Sequence, residues 1–335
     1  MTTARPTTVR LQHMVRAYRE SAALMAAIEL GLFTRLAQGA DREDTLIAAL
    51  GIQPLHGERL VVACIALGLI ERDGEQLRNA ADVERFLVEE QPGYAGAWML
   101  FTKPDWAPWG NLGEILSSGD APEALSKAVA DFTLKDARRY HRATYSIGRG
   151  TGRLFLRQVD LSKRGKILDL GGGSGAYCIA AVKKYPALRA CVFDLPPVCV
   201  VAAEFIEQNG LGDRIETVAG DFNIDPFPAD ADVVIMASNL PMCGREQIAD
   251  IVRKAHDALL PGGEMHLIGE TLNAARDGPA DAAMWGLGQS VADSFGLAHS
   301  VTEVEGYFAA AGFSRISTTE FVPAILTRTA GFKTP

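Results

Sequence analysis

The sequence predicts an α/β protein in two parts. A mainly helical N-terminal region ends in a β-hairpin, and a doubly wound sheet follows, parallel except for a terminal antiparallel strand. Three observations carry this expectation. Residues 9–38 repeat their apolar side chains at helical spacing. Beyond residue 165, short apolar runs alternate with longer helix-like stretches, the texture of a parallel sheet wound with helices. A glycine cluster at 171–175 stands between the first such run and the first helix.

Taken in order, VRLQHMVRAYRESAALMAAIELGLFTRLAQ is filled with alanine, leucine and methionine, and Gly31 breaks it into two helices. Two shorter helices are expected over 41–50 and 55–68. LIERDGEQLRN then reads as two strands around an Asp73-Gly74 turn. Helix, helix, helix, hairpin is the order of a winged helix. Residues 82–153 are again helical in pattern, interrupted by FTKPDWAPWGN. After them KILDL, ACVFD, RIETVAG, DVVIMAS and EMHLIGE are the parallel strands, and RISTTEF with PAILTRT forms the closing antiparallel pair. The domain boundary is expected between residues 153 and 154.

Composition narrows the function. The chain has 335 residues, enough for two domains, and 48% are hydrophobic, enough for a large core. With 33 basic against 41 acidic residues, a net charge of −8 disfavours nucleic acid or an anionic membrane as partner. Cys64, Cys178, Cys191, Cys199 and Cys243 lie in apolar surroundings without C-x-x-C spacing, which suits a reduced cytoplasm and neither a disulfide framework nor a metal site. No apolar run is long enough to span a bilayer, and MTTARPTTVRLQHMVRAYRE lacks the apolar core of a signal peptide.

The strongest local signal is ILDLGGGSGAY. Gly171, Gly172, Gly173, Ser174 and Gly175 follow a strand and open a helix, where glycines let backbone approach a ligand and helix amides point at it. Gly171-x-Gly173-x-x-Ala176 alone also satisfies the dinucleotide fingerprint. Three acids bear on that ambiguity. Asp169 precedes the glycines, Asp194 ends the second strand beside Leu195 as a ribose acceptor would, and Asp221-Phe222 ends the third, placed to meet an adenine. Ala237, ending the fourth strand, completes the rim. This arrangement resembles class I S-adenosylmethionine-dependent methyltransferases, implying a Rossmann-like sheet and S-adenosylmethionine as cofactor.

With ELGLF, LGLIERDG and the pair Trp106 and Trp109 included, the whole chain resembles the caffeate/acetylserotonin-type O-methyltransferase family. The resemblance implies that the N-terminal half is a dimerisation domain, making a homodimer whose halves help close the pockets. The would-be recognition helix, LHGERLVVACIALG, is aliphatic with one arginine, which disfavours DNA binding.

The family's base is a histidine in a segment near L-H-D-W after the fourth strand. Here the segment reads SNLPMCGRE, so Pro241 stands at the histidine position and Met242 at the aspartate. A hydroxyl acceptor needs a base, typically contributing about 10²–10⁴-fold, whereas a thioether has no proton to lose and needs only positioning. The stretch 135–153 carries six basic residues and one acid, and Arg138, Arg142, Tyr145 and Arg149 share one helical face, a candidate carboxylate clamp. Trp98, Trp106 and Trp109 are candidates to face a sulfonium, with Tyr140, His141 and Met242 completing the acceptor site. The leading expectation is therefore S-methylation of a carboxylate-bearing thioether of the 4-methylthio-2-hydroxybutyrate type, as in dimethylsulfoniopropionate synthesis. Alternatives are O-methylation of a phenolic or hydroxy acid with His141 or Glu270 as relocated base, a cofactor-binding relative that no longer methylates, and a cofactor-sensing regulator.

Overall fold

The computed structural model describes residues 6–118 and 132–335. They divide into two compact units, Met1–Pro104 and Asp105–Pro335. The division lies earlier than the expected 153/154 boundary. The reason is a helix, α10 (Leu134–Gln158), that packs on two helices of the sheet, α11 (Ala176–Lys184) and α12 (Pro196–Gln208), and so belongs with them.

The first unit contains α1 (Val9–Arg16), α2 (Tyr18–Glu29), α3 (Leu32–Ala37), α4 (Glu43–Leu50) and α5 (Pro54–Ala66). Strands β1 (Ile70–Asp73) and β2 (Gln76–Asn79), then α6 (Ala81–Phe86) and α7 (Gly96–Phe101), complete it. Gly31 adopts φ +68° between α2 and α3, and Gly74 φ +60° in the hairpin; both need a left-handed backbone that glycine supplies without steric cost. Leu32, Phe33, Leu46, Val61 and Ile70 fill its core. Helix α1 buries nothing, and Val9, Leu11, Met14 and Val15 on it are exposed.

In the second unit, α8 (Trp106–Gly110) and α9 (Leu112–Ser117) precede α10. FTKPDWAPWGN is itself partly helical, because Pro104 and Pro108 fall within first turns where no backbone donor is required. Five strands, β3 (Lys166–Leu170), β4 (Arg189–Asp194), β5 (Ile215–Ala219), β6 (Ala231–Ala237) and β7 (Leu259–Gly269), run parallel. A short separate pair, β8 (Thr271–Leu272) and β9 (His299–Ser300), follows. Then β10 (Ser314–Val322) and β11 (Leu326–Phe332) close the main sheet, with β11 antiparallel to both β7 and β10. The order is β10-β11-β7-β6-β3-β4-β5. The chain moves outward through β3, β4 and β5, then returns to the other side of β3 as β6. That reversal opens a crevice at the carboxyl ends of β3 and β6, where sheets of this kind bind ligands. Helices α13 (Arg245–Ala258), α14 (Ala280–Val291) and α15 (Val301–Ala310) complete the unit.

Strand residues Ile167, Leu168, Leu170, Val233, Val234 and Ile235 are fully buried, because helices cover both faces and leave no polar side of the strand. No helix among the described residues is long and apolar enough to cross a membrane.

Candidate active site

The glycine turn at the end of β3 is shaped by what surrounds it. Gly171, Gly173 and Gly175 have φ of +61°, +57° and +70°. A Cβ on Gly171 would come 2.7 Å from Asn239 Nδ2 and 3.2 Å from the Phe222 ring. One on Gly172 would come 2.7 Å from the Asp169 carboxyl carbon, and one on Gly173 2.7 Å from His141 Cε1. Four side chains from four segments thus close on a backbone that only glycine can form here.

Asp169 is 1% exposed, and the Cys178 thiol at 3.5 Å is its hydrogen-bond neighbour. Burial pushes its carboxyl up to about 7. Asp194 ends β4, where Gly173 N–H donates to Oδ2 at 2.8 Å and Leu195 N–H to Oδ1 at 2.7 Å. Burial outweighs these bonds and pushes Asp194 up to about 6. Asp221 follows β5; its Oδ1 accepts from Asn223 through backbone and side chain. Ala237 ends β6, and Ser238 after it sits at φ +62°, a strained position for a residue with a side chain. Asn239, which sequence reasoning missed, bridges the crevice: its amide donates to the carbonyls of Ala237 at 3.1 Å and Gly171 at 3.3 Å. A polar residue directly after a strand end was the available signal.

Helix α10 brings Tyr140 and His141 to this turn, their rings edge to face with centroids 5.0 Å apart. His141 is buried, which lowers it to about 4 and leaves it a neutral imidazole at neutral pH. Glu270, directly after β7, is also buried, and desolvation raises its carboxyl. Tyr140 and Tyr177 both feel its charge. Pro241 is buried in the turn Leu240–Met242, with Met242 exposed.

The arginine face of α10 has neighbours on α12. Arg138 forms an ion pair with Glu204 at 2.5 Å, and Arg142, also near Glu204, helps hold that carboxyl below its ordinary value. Tyr145 stacks on Phe205 with centroids 4.1 Å apart and accepts from Asn209 at 2.9 Å, while Arg149 lies 5.8 Å over the Tyr145 ring. These residues do share one face, but that face packs on α12, because the aromatic at its centre needs burial. The glycine turn instead meets the Tyr140–His141 side of α10. Trp98 stacks on Phe101 within the first unit, at 5.8 Å and 6°. Trp106 is exposed, and Trp109 stands half-buried beside Gly288 of α14.

A site rich in acceptors and poor in donors suits a ligand that brings donors. S-adenosylmethionine carries them at its amino group, ribose hydroxyls and adenine amine, so Asp169, Asp194 and Asp221 fit it, with the ring of Phe222 at the turn.

Residues 130–314 match the O-methyltransferase domain family, and residues 12–89 the O-methyltransferase dimerisation domain family. The chain belongs to the O-methyltransferase family. It is an S-adenosylmethionine-dependent methyltransferase of the caffeate/acetylserotonin type. The 3-hydroxy-5-methyl-1-naphthoate 3-O-methyltransferase of Streptomyces sahachiroi is 35% identical over 307 residues, 89% of this chain and 87% of that protein. The N,N-dimethyltransferase OxyT of Streptomyces rimosus is 32% identical over 264 residues, 76% of each. In fold, the chain matches the crystal structure of human N-acetylserotonin methyltransferase in complex with S-adenosylmethionine, with TM-score 0.84, 23% identity and full coverage of both chains.

Proposed function

We propose that this methyltransferase acts as a homodimer on the hydroxyl of a small aromatic acceptor, with Glu270 as the base. When bound, the cofactor supplies an electrophilic methyl group on a sulfonium sulfur. The glycine turn and Asp194 hold its nucleoside part, Asp169 neutralises its amino group, and Asp221 with Phe222 meets its adenine. His141 and Asn239 fix the turn from either side.

The observation that carries the acceptor reading is Glu270: a buried carboxyl at the end of β7, next to β6, the strand that leads into the Pro241 turn. Burial makes it a stronger base than an exposed glutamate, and it can hold the phenolic proton as the oxygen attacks. Exposed Met242, Met284, Trp285 and Phe295 lie on the Leu240–Met242 turn, on α14, which contacts that turn, and just beyond α14, an apolar surround suited to a flat ring. The naphthoate 3-O-methyltransferase relative acts on a hydroxylated aromatic acid.

The thioether reading rests on Pro241 in place of a histidine; the relatives named above are O- and N-methyltransferases and do not add to it. Its carboxylate clamp is weakened, because Arg138 is paired, Arg142 lies by Glu204 and Arg149 covers Tyr145. Glu270→Gln tests the base. With a phenolic acceptor it should lower kcat by about 10²–10⁴-fold and leave S-adenosylhomocysteine affinity intact. Unchanged kcat with that acceptor would remove Glu270 as the base. For the dimer, the exposed apolar face of α1 is the support, and light scattering at micromolar concentration is the test.

A further inference from the structure

The unassigned feature is a groove between α10 and α11, on the side of α10 that the chemistry does not use. Its volume is about 510 Å³, within the range of small-molecule sites. Five cations rim it: Arg149, Arg153 and Arg157 from α10, Lys183 and Lys184 from α11. The three arginines recur along one face of α10, so positive charge runs about 12 Å along the groove. No described carboxylate lies within 4.0 Å of any of the five in a chain whose net charge is −8. Asp160 is near Lys184 but is held by Ser162 and Tyr185. Lys183 donates to the Asn209 side-chain carbonyl at 2.6 Å and Lys184 to the Leu156 carbonyl at 2.6 Å, leaving each ammonium two further donors. The floor is apolar, from Leu156, Ile179 and Ala180.

The close packing of the two helices fixes this groove. A Cβ on Gly148 would stand 2.9 Å from Ala176 Cβ, and one on Gly152 3.2 Å from the Ala176 carbonyl oxygen. With no side chains at these two contacts the helices approach closely, and the cations on either side converge.

We propose that the groove binds a small organic polyphosphate: a molecule carrying two or more phosphates on an apolar or aromatic body. Clustered like charges repel, and an anion shared among them relieves that repulsion while the body covers the floor. The inference stands apart from the acceptor and base assignments, since no residue of the glycine turn takes part.

The test uses the full chain saturated with S-adenosylhomocysteine, so that the adenosine pocket is filled, and titrates ATP and inorganic pyrophosphate by calorimetry. ATP should bind, and more tightly than pyrophosphate, which has no body for the floor. Binding should weaken as salt is raised from about 50 to about 300 mM. Arg153→Glu and Arg157→Glu, both at exposed positions, should each weaken ATP by about tenfold with circular dichroism and S-adenosylhomocysteine affinity unchanged. No heat from either probe up to about 5 mM would overturn the proposal. So would ATP binding that neither charge reversal alters.

Discussion

Asp169→Asn should stabilise the cofactor-free protein while damaging its function. The carboxyl is 1% exposed, with a thiol 3.5 Å away as its hydrogen-bond neighbour, and its folded value stands at about 7 against an ordinary 3.8. The group holds its proton more tightly folded than unfolded. Its contribution to stability is therefore complete below pH 3.8 and is lost as pH rises through about 7. At about 1.36 kcal/mol per unit, ionising it in the fold costs about 4 kcal/mol at the upper end. An asparagine carries no charge but must still bury an amide, at about 1–3 kcal/mol. The net gain is about 1–3 kcal/mol near pH 8, or roughly 2–12 °C in the Tm of the second unit. Thermal scans of both proteins from pH 5 to pH 8 read this out: the parent should lose Tm with rising pH, and the variant should lose less. Calorimetry on the same samples should show S-adenosylmethionine bound at least about tenfold more weakly, since the charge that meets the amino group is gone. A variant less stable than the parent at pH 8 would refute the reasoning. Unchanged cofactor affinity would remove Asp169 from the site.

Three further outcomes rest on the same geometry. Gly173→Ala places a side chain at φ +57° and against the buried His141 ring, so it should cost about 1–2 kcal/mol in backbone strain alone and abolish cofactor binding. Chemical denaturation with calorimetry checks both. Asp194 accepts hydrogen bonds best when ionised, so cofactor affinity should fall as pH drops through about 6, and calorimetry across that range should find the dependence flattened in Asp194→Asn. Arg138→Ala removes a part-exposed, solvent-screened ion pair and should leave both stability and acceptor KM nearly unchanged; a large rise in KM would return this face of α10 to the acceptor site.

Much of this was legible in the sequence because it rests on local rules. Strand–helix alternation pointed to the sheet, and the strand ends located Asp169, Asp194 and Asp221 without any knowledge of packing. The glycines carried their own signal, since a run of them between a strand and a helix marks backbone that a side chain would obstruct. What escaped depended on which neighbour a face meets. The 4-3-4 spacing of Arg138, Arg142, Tyr145 and Arg149 identified a face of α10, yet periodicity cannot say whether that face meets the cofactor or Phe205. The domain boundary moved for the same reason: α10 reads as a continuation of earlier helices until its packing on α11 and α12 is seen. Asn239 carries no motif of its own beside Leu240 and Pro241, and its role appears only when β6 is laid next to β3.

The measurement closest to the central claim follows the methyl group itself. The chain would be incubated with S-adenosylmethionine carrying a deuterated methyl, together with a panel of hydroxylated aromatic acids, amines and methylthio acids, and the products identified by mass spectrometry and fragmentation. The expected result is an aryl methyl ether bearing the labelled methyl, formed with one equivalent of S-adenosylhomocysteine. A labelled sulfonium or amine with the phenols untouched would contradict the acceptor, and acceptors converted with no labelled methyl would contradict methyl transfer altogether.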